Sequence, residues 1–159
     1  MLSELEKLRY AGIYLLKQID LGPKQGGLAL PLTLTHELMP LEPVLDQLVL
    51  DGWLAMDRKK NRYVLTPEGI EYIGTLIDEA ETYIEEFDDE DADVVVAELR
   101  QRNLDPMRVR FLWGWYQGEF DDLALYQQRR GVAELDSDWA SFVTSDAFYQ
   151  DLARDLAGD

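Results

Sequence analysis

The sequence predicts a mostly α-helical chain with one small β-hairpin, followed by an α-helical C-terminal region. Three observations predict it. Apolar residues recur at helical spacing through most of the chain. Pro, Ser, Thr and Asp stand where helices would start, and Gly where they would stop. One stretch, "WLAMDRKKNRYVLT" at 53–66, sets two short apolar runs around a polar tip, the pattern of a hairpin.

The elements follow in order. Ser3 and Glu6 make a Ser-x-x-Glu capping box. Leu5, Leu8, Gly12, Leu15, Leu16 and Ile19 then predict a helix over 3–19. "LGPKQGG", 21–27, reads as a loop. Pro31 and Pro40 bracket an extended stretch that closes with one helical turn. Pro43 fits the first turn of a helix that turns Val44, Leu45, Leu48 and Val49 inward and stops at Gly52. The hairpin has its tip at Asp57 to Arg62. Thr66 and Pro67 then open a helix whose apolar stripe is Ile70, Ile73, Ile77, Ala80, Ile84 and Phe87, roughly 30 Å long.

"DDEDAD", 88–93, is the sharpest composition shift. It divides the expected organisation into an N-terminal unit over 1–87 and an acidic α-helical unit over 92–157. A helix is expected from near Ala92 to near Asn103, and Asp105-Pro106 starts another. The segment "DDLALYQQRRG" stops at Gly131. Asp136 or Ser137 opens "DWASFV", and Ser145 caps a last helix with Phe148, Leu152 and Leu156 on one side.

Charge narrows the function classes. The net charge is −17 over 159 residues. Residues 1–66 hold eight basic and eight acidic side chains, whereas 67–159 hold seven and twenty-four. A field of that sign repels nucleic acid and anionic membranes and suits a basic protein partner. There is no cysteine, hence no disulfide framework or thiolate metal site. The charged start, "MLSELEKLRY", and the lack of a long apolar run lead us to expect a cytoplasmic protein with no membrane segment.

Three stretches, "LTLTHEL", "LDQLVLDGWL" and "RYVLTPEGIEYI", carry a resemblance. Residues about 32–75 resemble the winged helix-turn-helix domains of MarR-like and PadR-like bacterial regulators. The resemblance implies a winged-helix fold for the N-terminal unit, with 41–51 in the place of the DNA-reading helix and the hairpin as a basic wing. It also implies transcription regulation, and a homodimer formed through the helix at 67–87. Helix 41–51 departs from that pattern. It carries Glu42, Asp46 and Asp51 but no Lys or Arg, and Gln47 alone is of a type that reads bases.

Arg58, Lys59, Lys60 and Arg62, in "RKKNR", are the nucleic-acid-binding candidates. Four phosphate contacts give affinity without sequence preference, and the same cations would guard a hairpin edge. "THELM" lacks the second His of a zinc-protease helix, because position 40 is Pro, and His36 is the only histidine. "DDEDAD" lacks the Gly and the distal Glu of a calcium loop. Arg100, Arg102, Arg108 and Arg110 form a small cationic cluster that could hold phosphate, but such arginines more often pair with nearby carboxylates, here those at 88–93.

"FLWGWYQGEF", 111–120, sets Phe111 and Trp115 on one helical face and Trp113, Tyr116 and Phe120 on another. Gly114 and Gly118 would admit a second helix. Trp113, Tyr116 and Phe120, with Glu42 and Asp46, are the partner-interface candidates. We find no nucleophile–base pair, glycine-rich phosphate loop or dinucleotide signature, so no catalytic, cofactor-binding or metal residue is assigned and no enzyme is expected. The expected function is a non-enzymatic regulator or adaptor that binds another protein. The alternatives are a DNA-binding regulator that uses its basic wing, and an acidic DNA mimic.

Overall fold

The computed structural model describes residues 2–132 and 138–157. Its described residues form eight α-helices and one two-stranded antiparallel sheet. No helix among them is long and apolar enough to cross a membrane.

The fold is arranged around α1 (Glu4–Leu21). Its capping box forms as the sequence predicts, with the Glu6 amide donating to Ser3 Oγ and the Ser3 amide to Glu6 Oε1. The expected stripe is too narrow. Leu5 is 48% exposed, while every residue from Ala11 to Leu16 is buried. Six consecutive buried residues cover all sides of a helix, so α1 needs neighbours all around it.

The N-terminal neighbours come first. A 3-10 turn, His36–Leu41, runs straight into α2 (Glu42–Leu50), so the expected short helix is a stub joined to its successor. α2 buries Val44, Leu45 and Leu48 against α1 and ends at Asp51-Gly52. β1 (Leu54–Asp57) and β2 (Arg62–Leu65) pair Leu54 with Leu65 and Asp57 with Arg62. The extended stretch before the 3-10 turn adds to the hairpin edge. The Tyr63 amide donates to Leu30 O at 2.9 Å, and the Leu32 amide to Asn61 O at 3.2 Å.

α3 (Pro67–Phe87) starts where expected, with the Gly69 amide donating to Thr66 Oγ1 at 2.9 Å. The glycine of "LTPEG" has a physical reason. A Cβ there would lie 2.2 Å from Trp53 O, so only glycine lets the helix start abut the hairpin entry. Trp53 stacks on Tyr72, with centroids 4.3 Å apart, and fixes the same junction. Leu76, absent from the expected stripe, is buried in place of Ile70, which is 56% exposed.

The C-terminal neighbours close the other side. They are α4 (Ala92–Gln101), α5 (Pro106–Tyr116), α6 (Leu123–Arg130), α7 (Trp139–Val143) and α8 (Asp146–Leu156). The expected caps at Asp136 or Ser137 lie outside the described residues. Asp138 caps α7, accepting from the Ala140 amide at 3.1 Å. Ser145 occupies the cap position of α8 but donates its hydroxyl back to Phe142 O.

One core runs through both halves, from Leu15, Leu45 and Leu76 to Phe111, Phe120 and Phe148. Phe148 touches the rings of Phe111, Phe120, Tyr126, Phe142 and Tyr149. A smaller cluster of Phe87, Leu99 and Val109 lies apart from it. We predict that Phe148→Ala lowers the urea-unfolding free energy by about 3–5 kcal/mol. Ile70→Ala, at an exposed site, should change it by less than about 0.5 kcal/mol.

Candidate functional site

The exposed face of α2 and the hairpin beside it form the first candidate surface. Glu42, Asp46 and Leu50 are exposed on α2, as is Asp51 at its C-terminal cap, and Leu50 is 79% exposed. Asp51 accepts from Gln47 Nε2 at 3.0 Å, so the one base-reading side chain is tied to an acid of its own helix. Among the described residues Glu42 and Asp46 form no ion pair. Their charge reaches the hairpin. Burial pushes the Tyr63 phenol up, and Asp46 and Glu42 add to the shift.

The hairpin tip is an ordered turn. Asp57 Oδ1 accepts from the amides of Lys59 and Lys60, both at 3.1 Å, and Asn61 takes a left-handed conformation. Arg58, Lys59 and Lys60 are exposed on it. Arg62 is not on this tip. It is half-buried, lines a small cavity with Ile19, Leu28 and Leu65, and its Nε is buried without a partner. The structure therefore presents three of the four expected cations together.

The aromatic segment departs from expectation. α5 ends at Tyr116, and Gly118, at φ +81°, reverses the chain. Phe120 is thus on no helix with Trp113 and Tyr116. It returns into the core, 1% exposed, against Phe111 and Tyr126, which removes it from the interface candidates. Gly114 receives this return and not a second helix: a Cβ there would lie 2.5 Å from Phe120 Cζ. Tyr116 is 39% exposed and donates to Glu81 at 2.9 Å. Trp113 is half-buried over the smaller cluster. Glu42 and Asp46 stand on α2, which packs on α1, β1 and the 3-10 turn, whereas Trp113 and Tyr116 stand on α5, which packs on α3, α4 and α8.

Three of the four arginines pair with carboxylates, though not with those at 88–93, whereas Arg100 is exposed and forms no ion pair among the described residues. Arg102 bridges Glu86 and Glu98. Arg108 holds Glu79 through two bonds of 2.7 and 3.0 Å, and Glu79 also accepts from Tyr83 at 2.8 Å. This pair joins α3 to α5. Burial and that bond push the Tyr83 phenol up to about 12. Arg110 holds Glu119 and Asp155, and Arg130 holds Asp155 and Asp151. Asp151, 3% exposed, also accepts from Tyr126 and Arg154. The network ties α5, α6 and α8 together. Every member is matched, the condition under which buried charge is tolerated.

His36 is exposed at the start of the 3-10 turn. Among the described residues no three His, Asp or Glu side chains converge as a metal site would need. α3 uses its inner face on α1 and α5, and its outer face carries Glu68, Glu71, Asp78, Glu81 and Glu85.

The chain matches no family model, no curated protein and no solved structure at a significant level.

Two predictions follow from the charged network. Asp151→Asn should cost about 3–5 kcal/mol in urea unfolding, since it removes the buried charge on which Arg130, Arg154 and Tyr126 converge. The second concerns acid. Burial alone would raise the Glu79 and Asp155 carboxyls, but hydrogen bonds from Arg108 to Glu79, and from Arg130 and Arg110 to Asp155, outweigh it and hold both below their usual values. The stability they contribute is present above the ordinary carboxylate range and is lost as pH falls through their lowered values. Thermal scans from about pH 6 to about pH 3 should show a fall in Tm that is shallower in Glu79→Gln than in the parent chain.

Proposed function

We propose that the protein is a non-enzymatic regulator or adaptor that acts by binding another protein through the exposed face of α2. The observation that carries this reading is the composition of that face. Leu50 stands 79% exposed on the face that carries Glu42 and Asp46, with no cation on the helix. A phosphate backbone brought against α2 would meet Glu42 and Asp46, and the field of these acids extends to the hairpin. A protein surface with an apolar pocket rimmed by Lys or Arg matches it in shape and sign.

The winged-helix resemblance is part of the proposal. The order helix, 3-10 turn, helix, hairpin, helix supports it, as does the extended stretch at Leu30–Leu32 paired to the hairpin. A winged helix does not dictate DNA binding, because function resides in the surface and not in the fold. Self-association through α3 is disfavoured, since a second copy would set its row of carboxylates against an identical row.

One observation favours a second reading, DNA contact through the wing. Arg58, Lys59 and Lys60 project from a turn that Asp57 holds in shape. Three phosphate contacts would give weak, sequence-independent binding with a salt slope of about −2.7.

The two readings separate in one pair of measurements. Mixed-sequence duplex DNA, followed by fluorescence anisotropy, should show no binding at physiological salt. Weak low-salt binding should vanish in Lys59→Glu with Lys60→Glu. A photo-crosslinker placed at position 50 in cells should give a protein adduct that Glu42→Lys with Asp46→Lys removes. Tight duplex binding at physiological salt, with no adduct from position 50, would overturn the adaptor reading in favour of the wing.

A further inference from the structure

We infer that the cleft between the C-terminal end of α3 and helices α4, α5 and α8 binds a small organic cation with an apolar body, such as an aryl-alkyl ammonium. The inference does not depend on which macromolecule meets α2. The cleft has a volume of about 360 Å³. That lies at the low end for small-molecule sites, and is too small for the several anchors of a docked peptide helix.

The floor is apolar and separate from the main core. Phe87, Val96, Leu99 and Val109 form it, and the half-buried Trp113 stands at its side. Such a floor gives an apolar ligand body a surface to cover, and an indole face attracts a cation within about 6 Å.

The charge at the cleft is one-sided. Four carboxylates, Asp88, Glu90, Glu119 and Asp155, line it against a single guanidinium, Arg110. Arg110 is committed. Its Nε donates to Asp155 at 2.9 Å, and its two terminal nitrogens donate to Glu119 at 3.1 and 2.8 Å. It is therefore no anchor for a carboxylate or phosphate ligand. Asp88 and Glu90 are exposed at the rim and form no ion pair among the described residues. An anion would meet uncompensated negative charge, and a neutral ligand would leave the rim acids unused. An ammonium group reaching Asp88 and Glu90 while its body covers the floor satisfies both features at once.

The test uses the full chain and a matched pair of probes, 4-phenylbutylammonium and 4-phenylbutanoate. Calorimetry gives affinity, and the Trp113 indole N–H resonance reports location. The ammonium should bind and shift that resonance, and the carboxylate should do neither. Asp88→Asn with Glu90→Gln removes two exposed charges without touching the core. It should weaken ammonium binding about fivefold, the effect of two partly solvated charge contacts. Val95→Phe, which fills the cleft from α4, should abolish binding while helical content is retained. Equal binding of the two probes, unchanged affinity in the double variant, or a bound ammonium that leaves the Trp113 resonance in place would each overturn the proposal.

Discussion

The structure depends on the burial of α1 from all sides. Ala11 to Leu16 have no exposed face, so no single layer can satisfy the helix. The N-terminal half supplies α2, α3 and the hairpin. The C-terminal half supplies rings: Tyr10 meets Phe111 and Tyr149, and Tyr14 meets Trp139. Two polar contacts fix the alignment. Trp115 Nε1 donates to Ile13 O at 3.1 Å, and Lys17 Nζ donates to Trp115 O at 2.6 Å. The buried indole bond matters most, because losing either partner leaves a desolvated group unmatched.

The same arrangement governs the distribution of charge. Arg102, Arg108, Arg110 and Arg130 are all consumed in holding helices together. What remains on the outside of α3 and around 88–93 is acid. The hairpin tip sets three exposed cations side by side, whereas the other exposed cations that form no ion pair among the described residues, Arg9, Lys24, Arg100 and Arg129, stand apart in the sequence. With the four arginines spent between helices, the net charge of −17 is carried by acids exposed at the surface. That surface favours basic partners, and it is the common physical basis of the adaptor reading and the cationic ligand.

Local elements were legible in the sequence because their causes are local. The Ser3–Glu6 box, the Thr66-Pro67 start, the Gly52 stop and the presence of the hairpin all rest on residues within a few positions of one another. Three features were not legible, and each depends on distant neighbours. The width of the buried face of α1 depends on helices about a hundred residues away. Phe120 was assigned to an interface because helical spacing was extended past Gly118, where the chain reverses. The arginine partners Glu79 and Asp155 lie 29 and 45 residues from Arg108 and Arg110. The exposed acids and wing cations were readable from composition. The cleft was not, since its lining comes from four helices whose packing no periodicity encodes.

The claim that α1 binds both halves into one body is tested most directly by cutting the chain after Phe87 and following urea unfolding of the 2–87 fragment by far-UV circular dichroism. With Tyr10, Ile13 and Tyr14 stripped of their C-terminal neighbours, the account predicts a fragment with reduced helicity and no cooperative transition. A fragment that unfolds in a single sharp transition with native helical content would contradict it, and would show that the N-terminal half is a domain in its own right.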